Sequence, residues 1–329
     1  MEKKTHSIEF KTAEERELEQ NATKYKGRSL KSKIIQHRWF YVMFLPVLVF
    51  IILFNYLPMF GVRYAFFEYL NSESIRWVGF ANFERLFAEK AFWTAFLNTM
   101  EISILKLVLN TGMAVVISLL LNEIVVLNFK KVVQTIIYLP HFMSWVVTAS
   151  VFALILSISS SGLVNTLLID MGVIADGEQI YWLGDKAYWR FAYYIINIWK
   201  DTGWGTIIFL ATLSGISPEL YEAARIDGAG RWQQMWYITL PSLANTIITV
   251  LILNLAKIMN LFESVFVLMN DAVIDVSQVL QTYTYSITFN AAPDFGFSTA
   301  VGLFRSLVAC FLVIICNWLS KKFRNRGIV

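Results

Sequence analysis

Six apolar runs, each long enough to cross a lipid bilayer, constrain the fold of this chain more than any other feature of its sequence. They cover residues 39–59, 102–121, 132–156, 191–213, 247–269 and 299–319. A transmembrane helix needs about 20 apolar residues, because its backbone polar groups must bond within the segment in hydrocarbon. The runs therefore predict an all-α, polytopic membrane protein with six transmembrane helices.

The composition excludes the competing classes of protein. Hydrophobic residues make up 57% of the 329 residues and charged residues only 16%, whereas a soluble chain has about 25% charged residues. The net charge of +4 is small and the basic residues concentrate near the chain ends, which gives little support for nucleic-acid binding. Cys310 and Cys316 share the last run, so they indicate core packing rather than a disulfide framework.

The first run follows a charged leader and is too long for a cleavable signal peptide, so we predict that it stays in the mature chain. The predicted organisation is a cytoplasmic N-terminal leader over residues 1–38, a transmembrane domain over residues 39–320 and a basic cytoplasmic tail over residues 321–329.

Lysine and arginine placement predicts the orientation, because cytoplasmic loops of membrane proteins are enriched in both residues. Both chain ends are basic, and so are the second connection, with Lys130 and Lys131, and the fourth, with Arg225 and Arg231. The third and fifth connections are acidic, whereas the first has balanced charges and indicates neither side. Both termini and the fourth connection are therefore expected in the cytoplasm.

Residues 73–98 in the first connection alternate aromatic and polar side chains. The pattern suits a helix that lies along the outer membrane interface. An extracellular loop that packs its aromatic residues on the helical bundle accounts for it equally well.

The fourth connection, residues 217–241, predicts two short helices with a sharp turn between them. Ser217 suits the N-cap of the first helix, and Pro218 and Glu219 suit its first turn. Gly228 and Gly230 permit the positive backbone angles of a reversal, so this helix should end near Asp227. The second helical segment should run to about residue 239, before the fifth span.

The first of these helices has the features of a docking element. Ala223 and Ala224 are small enough to let another surface approach closely. Glu222, Arg225 and Asp227 offer charges to that surface. The sequence therefore predicts a cytoplasmic contact with a partner at this helix.

The same residues resemble a known family motif. They resemble the EAA motif of the inner-membrane permease subunits of binding-protein-dependent ABC importers. The motif here consists of Glu222-Ala223-Ala224, then Gly228 after three further residues, Ile238 after nine more, and Leu240-Pro241 after one more. The chain thus resembles the type I ABC importer transmembrane fold. The residues that the resemblance assigns to ATPase coupling are Glu222, Ala223, Ala224, Asp227, Gly228, Ile238, Leu240 and Pro241.

Further segments resemble the carbohydrate branch of this family, the MalF/UgpA type, and within it the LplB-like permeases associated with complex oligosaccharides. They are residues 57–66, 78–83, 98–99 and 138–145. The chain lacks the extra spans and the large periplasmic insertion of a maltose-type subunit, which argues against maltose as the cargo. A neutral oligosaccharide, a uronate-containing one, such as alginate or pectin fragments, and another glycan all remain open.

The resemblance implies the partners and the compartment. It implies a heterodimer with a second permease, two copies of a cytoplasmic ABC ATPase and an extracytoplasmic solute-binding protein, all at the bacterial inner membrane. The sequence contains no G-x-x-x-x-G-K-[ST] phosphate-binding loop, so we expect ATP and Mg to be bound by the ATPase subunits. We therefore expect neither a cofactor nor an enzymatic site in this chain.

Polar residues inside the spans are the candidates for the substrate path, because buried polar groups in a membrane usually face a cavity or the bundle interior. Asn254, Lys257 and Asn260 recur every three residues, which predicts one helix face in the fifth span. Aromatic and amide side chains suit sugar faces and hydroxyls, so the predicted path comprises Tyr194, Asn197, Trp199, Asn254, Lys257 and Asn260. The alternative is that these groups only join helices by hydrogen bonds.

His141 follows Pro140 in the third span, and the pair predicts a kinked helix with a hydrogen-bonded histidine. No second histidine or cysteine has ligand spacing, so no metal site is expected. Two other classes compete with an ABC permease: a self-sufficient secondary transporter and an intramembrane enzyme. The sequence shows neither the repeated halves of the first nor the hydrolase motifs of the second.

Overall fold

The structure is a computed structural model that describes residues 34–71, 75–159, 162–289 and 292–324. The chain divides into two compact units, residues 1–61 and residues 62–329. Most of the predicted leader, residues 1–33, and the end of the predicted tail, residues 325–329, lie outside the described residues.

The first unit contains helix α1, Arg38–Ile51, with Pro46 inside it. The chain continues through a π turn, Ile52–Tyr56, and a short helical turn, Leu57–Met59. A 3-10 segment, Phe60–Phe66, follows. By length and composition this helical stretch could cross a membrane, in agreement with the first predicted span.

The second unit is helical apart from an antiparallel hairpin, β1 (Phe67–Tyr69) and β2 (Ile75–Trp77), which pairs Phe67 with Trp77. Its helices, in chain order, are α2 (Ala81–Ala88), α3 (Lys90–Asn122), α4 (Leu127–Tyr138), α5 (Trp145–Ile155), α6 (Leu163–Asp170), α7 (Trp189–Leu213), α8 (Pro218–Ile226), α9 (Arg231–Gln234), α10 (Leu240–Leu255), α11 (Glu263–Leu268), α12 (Ile274–Ser277), α13 (Leu280–Phe289) and α14 (Phe295–Arg324).

Three more helical stretches are long and apolar enough to cross a membrane: Lys90–Asn122, Arg231–Leu255 and Phe295–Trp318. The first and last of them correspond to the second and sixth predicted spans, whereas the stretch Arg231–Leu255 overlaps the fifth predicted span only at residues 247–255 and begins within the predicted fourth connection. The fourth predicted span is α7, a helix of 25 residues that contains Lys200 and Asp201.

The third predicted span is sharply bent, in agreement with the kink that Pro140 and His141 predicted. Helix α4, extended by the 3-10 turn Leu139–Phe142, is bent by 102° relative to α5. Pro140 has no N–H to continue the helix, Met143 is extended with ψ of 143°, and the hydroxyl of Ser144 caps α5 by accepting from Val147 N at 3.2 Å. The hydrogen-bonded histidine that was predicted with the bend is not found for Nδ1 of His141, which is buried without a hydrogen-bond partner among the described residues.

The fifth predicted span is also interrupted, because α10 ends at Leu255 and α11 begins only at Glu263. Between them, Lys257 N donates to Asn254 O at 3.0 Å and Asn260 N donates to Lys257 O at 2.9 Å. These tight turns replace the i to i−4 bonds of a helix. Asn254, Lys257 and Asn260 therefore do not lie on one helix face, and that prediction was wrong.

Helices α3 and α7 form the centre of the second unit, and three apolar clusters pack around them. The largest fully buried side chains in these clusters include Trp189, Tyr193, Phe92, Phe209 and Phe297. At Gly203, α7 approaches the end of α4 so closely that an added Cβ would lie 2.2 Å from Ile137 O. The absence of a side chain at Gly203 thus permits the contact between α7 and the bent pair.

The aromatic segment of the first connection combines both of its predicted arrangements. Phe92 is fully buried against Phe304, with ring centroids 5.2 Å apart. Trp77 and Phe80 remain mostly exposed beside Phe66, at centroid distances of 5.9 and 5.5 Å. Within the described part of this segment, residues 81–88 form α2 and residues 90–98 are the start of α3. Part of the segment therefore packs on the bundle and part faces outward.

Candidate functional site

The loop between α7 and α10 has the local structure that its sequence predicts. Helix α8 begins at Pro218, and Ser217 Oγ accepts a hydrogen bond from Glu219 N at 3.3 Å. The helix ends with Asp227 as its C-cap. The predicted start and stop signals of this helix are therefore confirmed.

Gly228 makes the reversal after α8 with a φ of +81°. Gly228 N donates to Arg225 O at 3.1 Å and Ala229 N donates to Ala224 O at 2.8 Å, the two bonds of a Schellman motif. Gly230 has a φ of −72°, so it does not use the positive region that the sequence suggested for both glycines. The turn requires a glycine at position 228 alone.

A helical connection leads from this turn to the membrane helix. Helix α9 passes into a π turn, Met235–Thr239, and then into α10, which begins at Leu240 and Pro241. The hydroxyls of Tyr221 and Thr239 share a hydrogen bond of 3.0 Å, which ties α8 to this helical stretch. The loop and α10 are thus joined by both the chain and a side-chain bond.

The outer surface of the loop is open to a partner. Glu222 and Ala223 are exposed, and Ala224 and Ile238 are partly exposed. Large apolar side chains surround them, with Ile226 87% and Trp232 71% exposed. We call the exposed face formed by Leu220, Glu222, Ala223, Ile226 and Trp232 the coupling surface. Such an apolar face is typical of an interaction site.

A second feature is a cavity of about 440 Å³, which we call the central cavity. It lies among α3, the bend between α4 and α5, helix α7 and the irregular segment after α10. The ionisable and amide side chains that line it are Lys106, Asn110, His141, Asp201, Asn254, Lys257 and Asn260, and the aromatic rings of Trp204 and Phe209 line it as well.

Asp201 links two of these groups. Its carboxylate lies 3.7 Å from Lys106 Nζ and 3.5 Å from His141 Nδ1. Trp204, one turn further along α7, stacks its ring on that of His141 at a centroid distance of 4.8 Å. Among the described residues that line the cavity, Asp201 is the one carboxylate and faces two lysines, Lys106 and Lys257. With a neutral histidine, the cavity carries one excess positive charge.

Lys200, the neighbour of Asp201, has a different role. It is buried, and its ammonium donates to Met143 O at 2.6 Å, to His141 O at 3.1 Å and to Pro140 O at 3.5 Å. These carbonyls lie at the bend where α4 ends, and a cation at a helix C-terminus is stabilising. Lys200 therefore holds the bend that presents His141 to the cavity.

The predicted path residues fall into two groups. Asn254, Lys257 and Asn260 are exposed and line the central cavity. Tyr194, Asn197 and Trp199 lie away from it: Tyr194 and Asn197 are buried, Asn197 Nδ2 donates to Tyr193 O at 2.7 Å, and Trp199 packs on Phe152. The structure does not bring the two groups together.

The predicted path did not include Lys106, His141, Asp201 and Trp204, although Lys106 and Asp201 are ionisable residues inside predicted spans, which usually face a cavity or the bundle interior. The spacing of Asp201 and Trp204, three residues apart on one helix, was a further signal. Among the described residues, no group of three or more His, Cys, Asp or Glu is placed to hold a metal ion. The arrangement suits an organic ligand with hydroxyl and anionic groups, because amides, an aromatic face and ammonium groups converge.

Comparison with known proteins supports a transport role. Residues 104–325 match the family described as binding-protein-dependent transport system inner membrane component. The polygalacturonan/rhamnogalacturonan transport system permease protein YteP of Bacillus subtilis (strain 168) is 40% identical over 309 residues, which cover 93% of this chain and 94% of YteP. Protein LplB of the same strain is 37% identical over 307 residues, 92% of this chain and 95% of LplB.

Solved structures share the fold. A chain of a bacterial ABC transporter involved in the import of the acidic polysaccharide alginate has a TM-score of 0.82 and 34% identity, and covers 90% of this chain and 99% of its own length. A chain of a bacterial alginate ABC transporter in complex with an alginate pentasaccharide-bound periplasmic protein has a TM-score of 0.82 and 33% identity, and covers 92% of this chain and 100% of its own length.

Proposed function

We propose that this chain imports acidic, uronate-containing oligosaccharides through the central cavity. The premise is that the chain belongs to the family of binding-protein-dependent transport system inner membrane components. It is therefore a permease subunit of an ABC importer for sugars or oligosaccharides. The observation that carries this proposal is the excess positive charge of a cavity that is also lined by amides and an aromatic ring.

The proposed topology has six crossings with both termini in the cytoplasm. The bent pair α4–α5 counts as one crossing and α7 as another, beside the four long apolar stretches. The basic second and fourth connections support this orientation. Irregular backbone within a membrane is tolerated where it lines a cavity, which accounts for both interruptions, at residues 139–144 and 256–262.

The coupling surface is proposed to bind a groove of a cytoplasmic ABC ATPase, which binds ATP and Mg and supplies the energy. Glu222 offers that interface a charge, and Ala223 and Ala224 allow close approach. Helical structure continues from Arg231 to Leu255, and 25 residues at 1.5 Å each span about 37 Å. Trp232 of the coupling surface and Asn254 lie on this one helical stretch, so a displacement at the surface reaches Asn254, and Lys257 follows two residues beyond the end of the helix at Leu255.

The sugar is proposed to bind with its hydroxyls on Asn110, Asn254 and Asn260 and an apolar face on Trp204, because amides and aromatic rings complement these groups. Two lysines in the cavity favour a carboxylate on the sugar. The names of the relatives agree with this chemistry: YteP is named for polygalacturonan and rhamnogalacturonan, and the structural neighbour for an acidic polysaccharide.

The proposed assembly contains a second homologous permease, two ATPase copies and an extracytoplasmic solute-binding protein, in the bacterial inner membrane. The structural neighbour was crystallised with an alginate pentasaccharide-bound periplasmic protein, which supports the last of these partners. One observation also fits the alternative, a self-sufficient secondary transporter, because interrupted helices are common in such proteins. A self-sufficient secondary transporter would have no ATPase subunit for the coupling surface to bind, so that alternative does not account for this surface.

The test is uptake of radiolabelled oligogalacturonate into proteoliposomes that contain the complex co-purified with this chain. We expect uptake that requires ATP and the binding protein. Uptake driven by an ion gradient without ATP would establish the secondary transporter instead. In the same preparation, a cysteine at Glu222 should cross-link to the ATPase, whereas a cysteine at the exposed Lys186 should not.

A further inference from the structure

The three lysines near the central cavity differ in how firmly they are held. Lys200 donates short hydrogen bonds to backbone carbonyls, of 2.6 Å to Met143 O and 3.1 Å to His141 O, and is not available to a ligand. Lys257 lines the cavity without an ion pair among the described residues. Lys106 is intermediate, since Asp201 is its one carboxylate partner within the part of the chain that the structure describes.

The pair between Lys106 and Asp201 is loose. Their nearest atoms are 3.7 Å apart, beyond a normal N–H to O hydrogen bond, although both side chains are largely shielded from solvent, with 22% and 27% exposed. A shielded ammonium within a membrane protein needs a counter-ion. Asp201 therefore lies close enough to neutralise Lys106 but beyond hydrogen-bond distance, so the ammonium keeps its donors for another carboxylate.

Asp201 also has a second partner ready. His141 Nδ1 lies 3.5 Å from the other carboxylate oxygen, and the stacked ring of Trp204 fixes the orientation of the imidazole. A carboxylate that turned away from Lys106 would still have a neighbouring hydrogen-bonding group. Lys106 and Asp201 are thus built for exchange of partners rather than for a permanent bond.

The summed charge of the side chains that line the cavity shows whether an acidic or a neutral sugar is favoured. Lys106 and Lys257 contribute +2 and Asp201 contributes −1, so the empty cavity has a charge of +1. One bound carboxylate brings it to zero, whereas a neutral sugar leaves +1 in a shielded site. Each occupied cavity therefore favours one acidic unit.

We propose that Asp201 is a specificity-determining residue: it serves as the counter-ion of Lys106 in the empty cavity and yields that place to the carboxylate of an acidic sugar. The inference rests on the proposed function of the central cavity. It assigns to Asp201 a role opposite to that of a sugar ligand, because Asp201 competes with the cargo for Lys106.

The test compares a trimer that contains a single galacturonate unit with its carboxyl-reduced counterpart, in which the one carboxylate has become CH₂OH. Equilibrium binding of both is measured on the complete complex in nanodiscs, without the binding protein, so that only the membrane subunits discriminate. The ratio of the two affinities is then compared between variants, because a general loss of folding affects both sugars equally.

Asp201→Asn should shift this ratio roughly tenfold toward the acidic trimer, and Lys106→Gln roughly tenfold toward the neutral one, the size of one charge-assisted hydrogen bond. The double variant restores the cavity charge of +1 and should return close to the wild-type ratio. The matched control is Lys186→Gln, which breaks an exposed ion pair with Asp275 away from the cavity and should leave the ratio unchanged.

Equal losses for both sugars in Asp201→Asn and Lys106→Gln would show a purely structural ion pair and overturn the inference, as would unchanged ratios in both. Failure of the proposed function has a different signature. In that case the wild-type complex binds neither sugar, or binds only the neutral one.

Discussion

The coupling loop and the central cavity are organised in opposite ways. Hydrogen bonds within the loop join residues close in sequence, such as Ala224 with Ala229, and its longest side-chain tie, from Tyr221 to Thr239, covers 18 residues. In the cavity, by contrast, the paired residues Lys106 and Asp201 are 95 positions apart in the sequence. The loop is thus a local structure with an exposed face, whereas the cavity exists only when several helices have packed.

The difference shows where function and stability are coupled. A change in the loop alters an exposed surface, so the chain can still fold. A change at the contacts that bend the α4–α5 pair alters the packing on which the cavity depends. The two regions should therefore respond differently to substitution.

The largest effect is expected at Gly203, where α7 meets α4. In Gly203→Ala, the new Cβ would lie 2.2 Å from Ile137 O, and backbone atoms cannot move aside as a flexible side chain can. We expect a loss of about 3 kcal/mol or more of stability, measured as a lower melting temperature of the purified complex. Gly112→Ala is the control, because its Cβ would meet nothing within 4 Å. Equal melting temperatures for the two variants would disprove the close contact.

Lys200→Met should have the next largest effect. Methionine fills a similar volume but leaves the carbonyls of His141 and Met143 without their donor, at a cost of about 2 kcal/mol. Lys186→Met, at an exposed ion pair with Asp275, should change stability by less than about 1 kcal/mol. If the two variants melt together, Lys200 does not hold the bend.

These contacts also explain what the sequence could predict. Ser217 and Gly228 act on their immediate neighbours, so their roles follow from residue type and spacing. The six apolar runs followed from hydropathy for the same reason. Pro140 indicated the bend, but its angle depends on Lys200, which lies 60 residues further along the chain.

The interruption after Leu255 carried a weaker signal. Residues 247–269 are apolar enough to read as one helix, and their three polar residues have helical spacing. Only the packing of α11 against α5 and α7 shows that the helix stops. The stacking of Trp204 on His141 could not be predicted either, because the two residues are 63 positions apart in the sequence and meet only in the folded chain.

A smaller effect on stability, but a full effect on coupling, is expected at Gly228. Gly228→Val forces a β-branched residue into a φ of +81°, a strain of about 1–3 kcal/mol. The variant should insert and assemble, but lose ATP hydrolysis stimulated by the sugar-loaded binding protein. Gly230→Val is the matched control, because a φ of −72° accepts valine. Normal stimulation in Gly228→Val would contradict the assignment of the coupling surface.

The central claim is that the cavity lies on the path of the sugar, and Lys257 tests it with the smallest disturbance of the fold. In a background without Cys310 and Cys316, a cysteine at position 257 should react with a small aqueous thiol reagent, and an acidic oligosaccharide should slow the reaction. Met259→Cys is the control, since Met259 is 2% exposed in the adjacent apolar cluster and should stay unreactive. A cysteine at position 257 that is unreactive in both the resting and the ATP-trapped complex, or equally reactive with and without saturating sugar, would contradict the account.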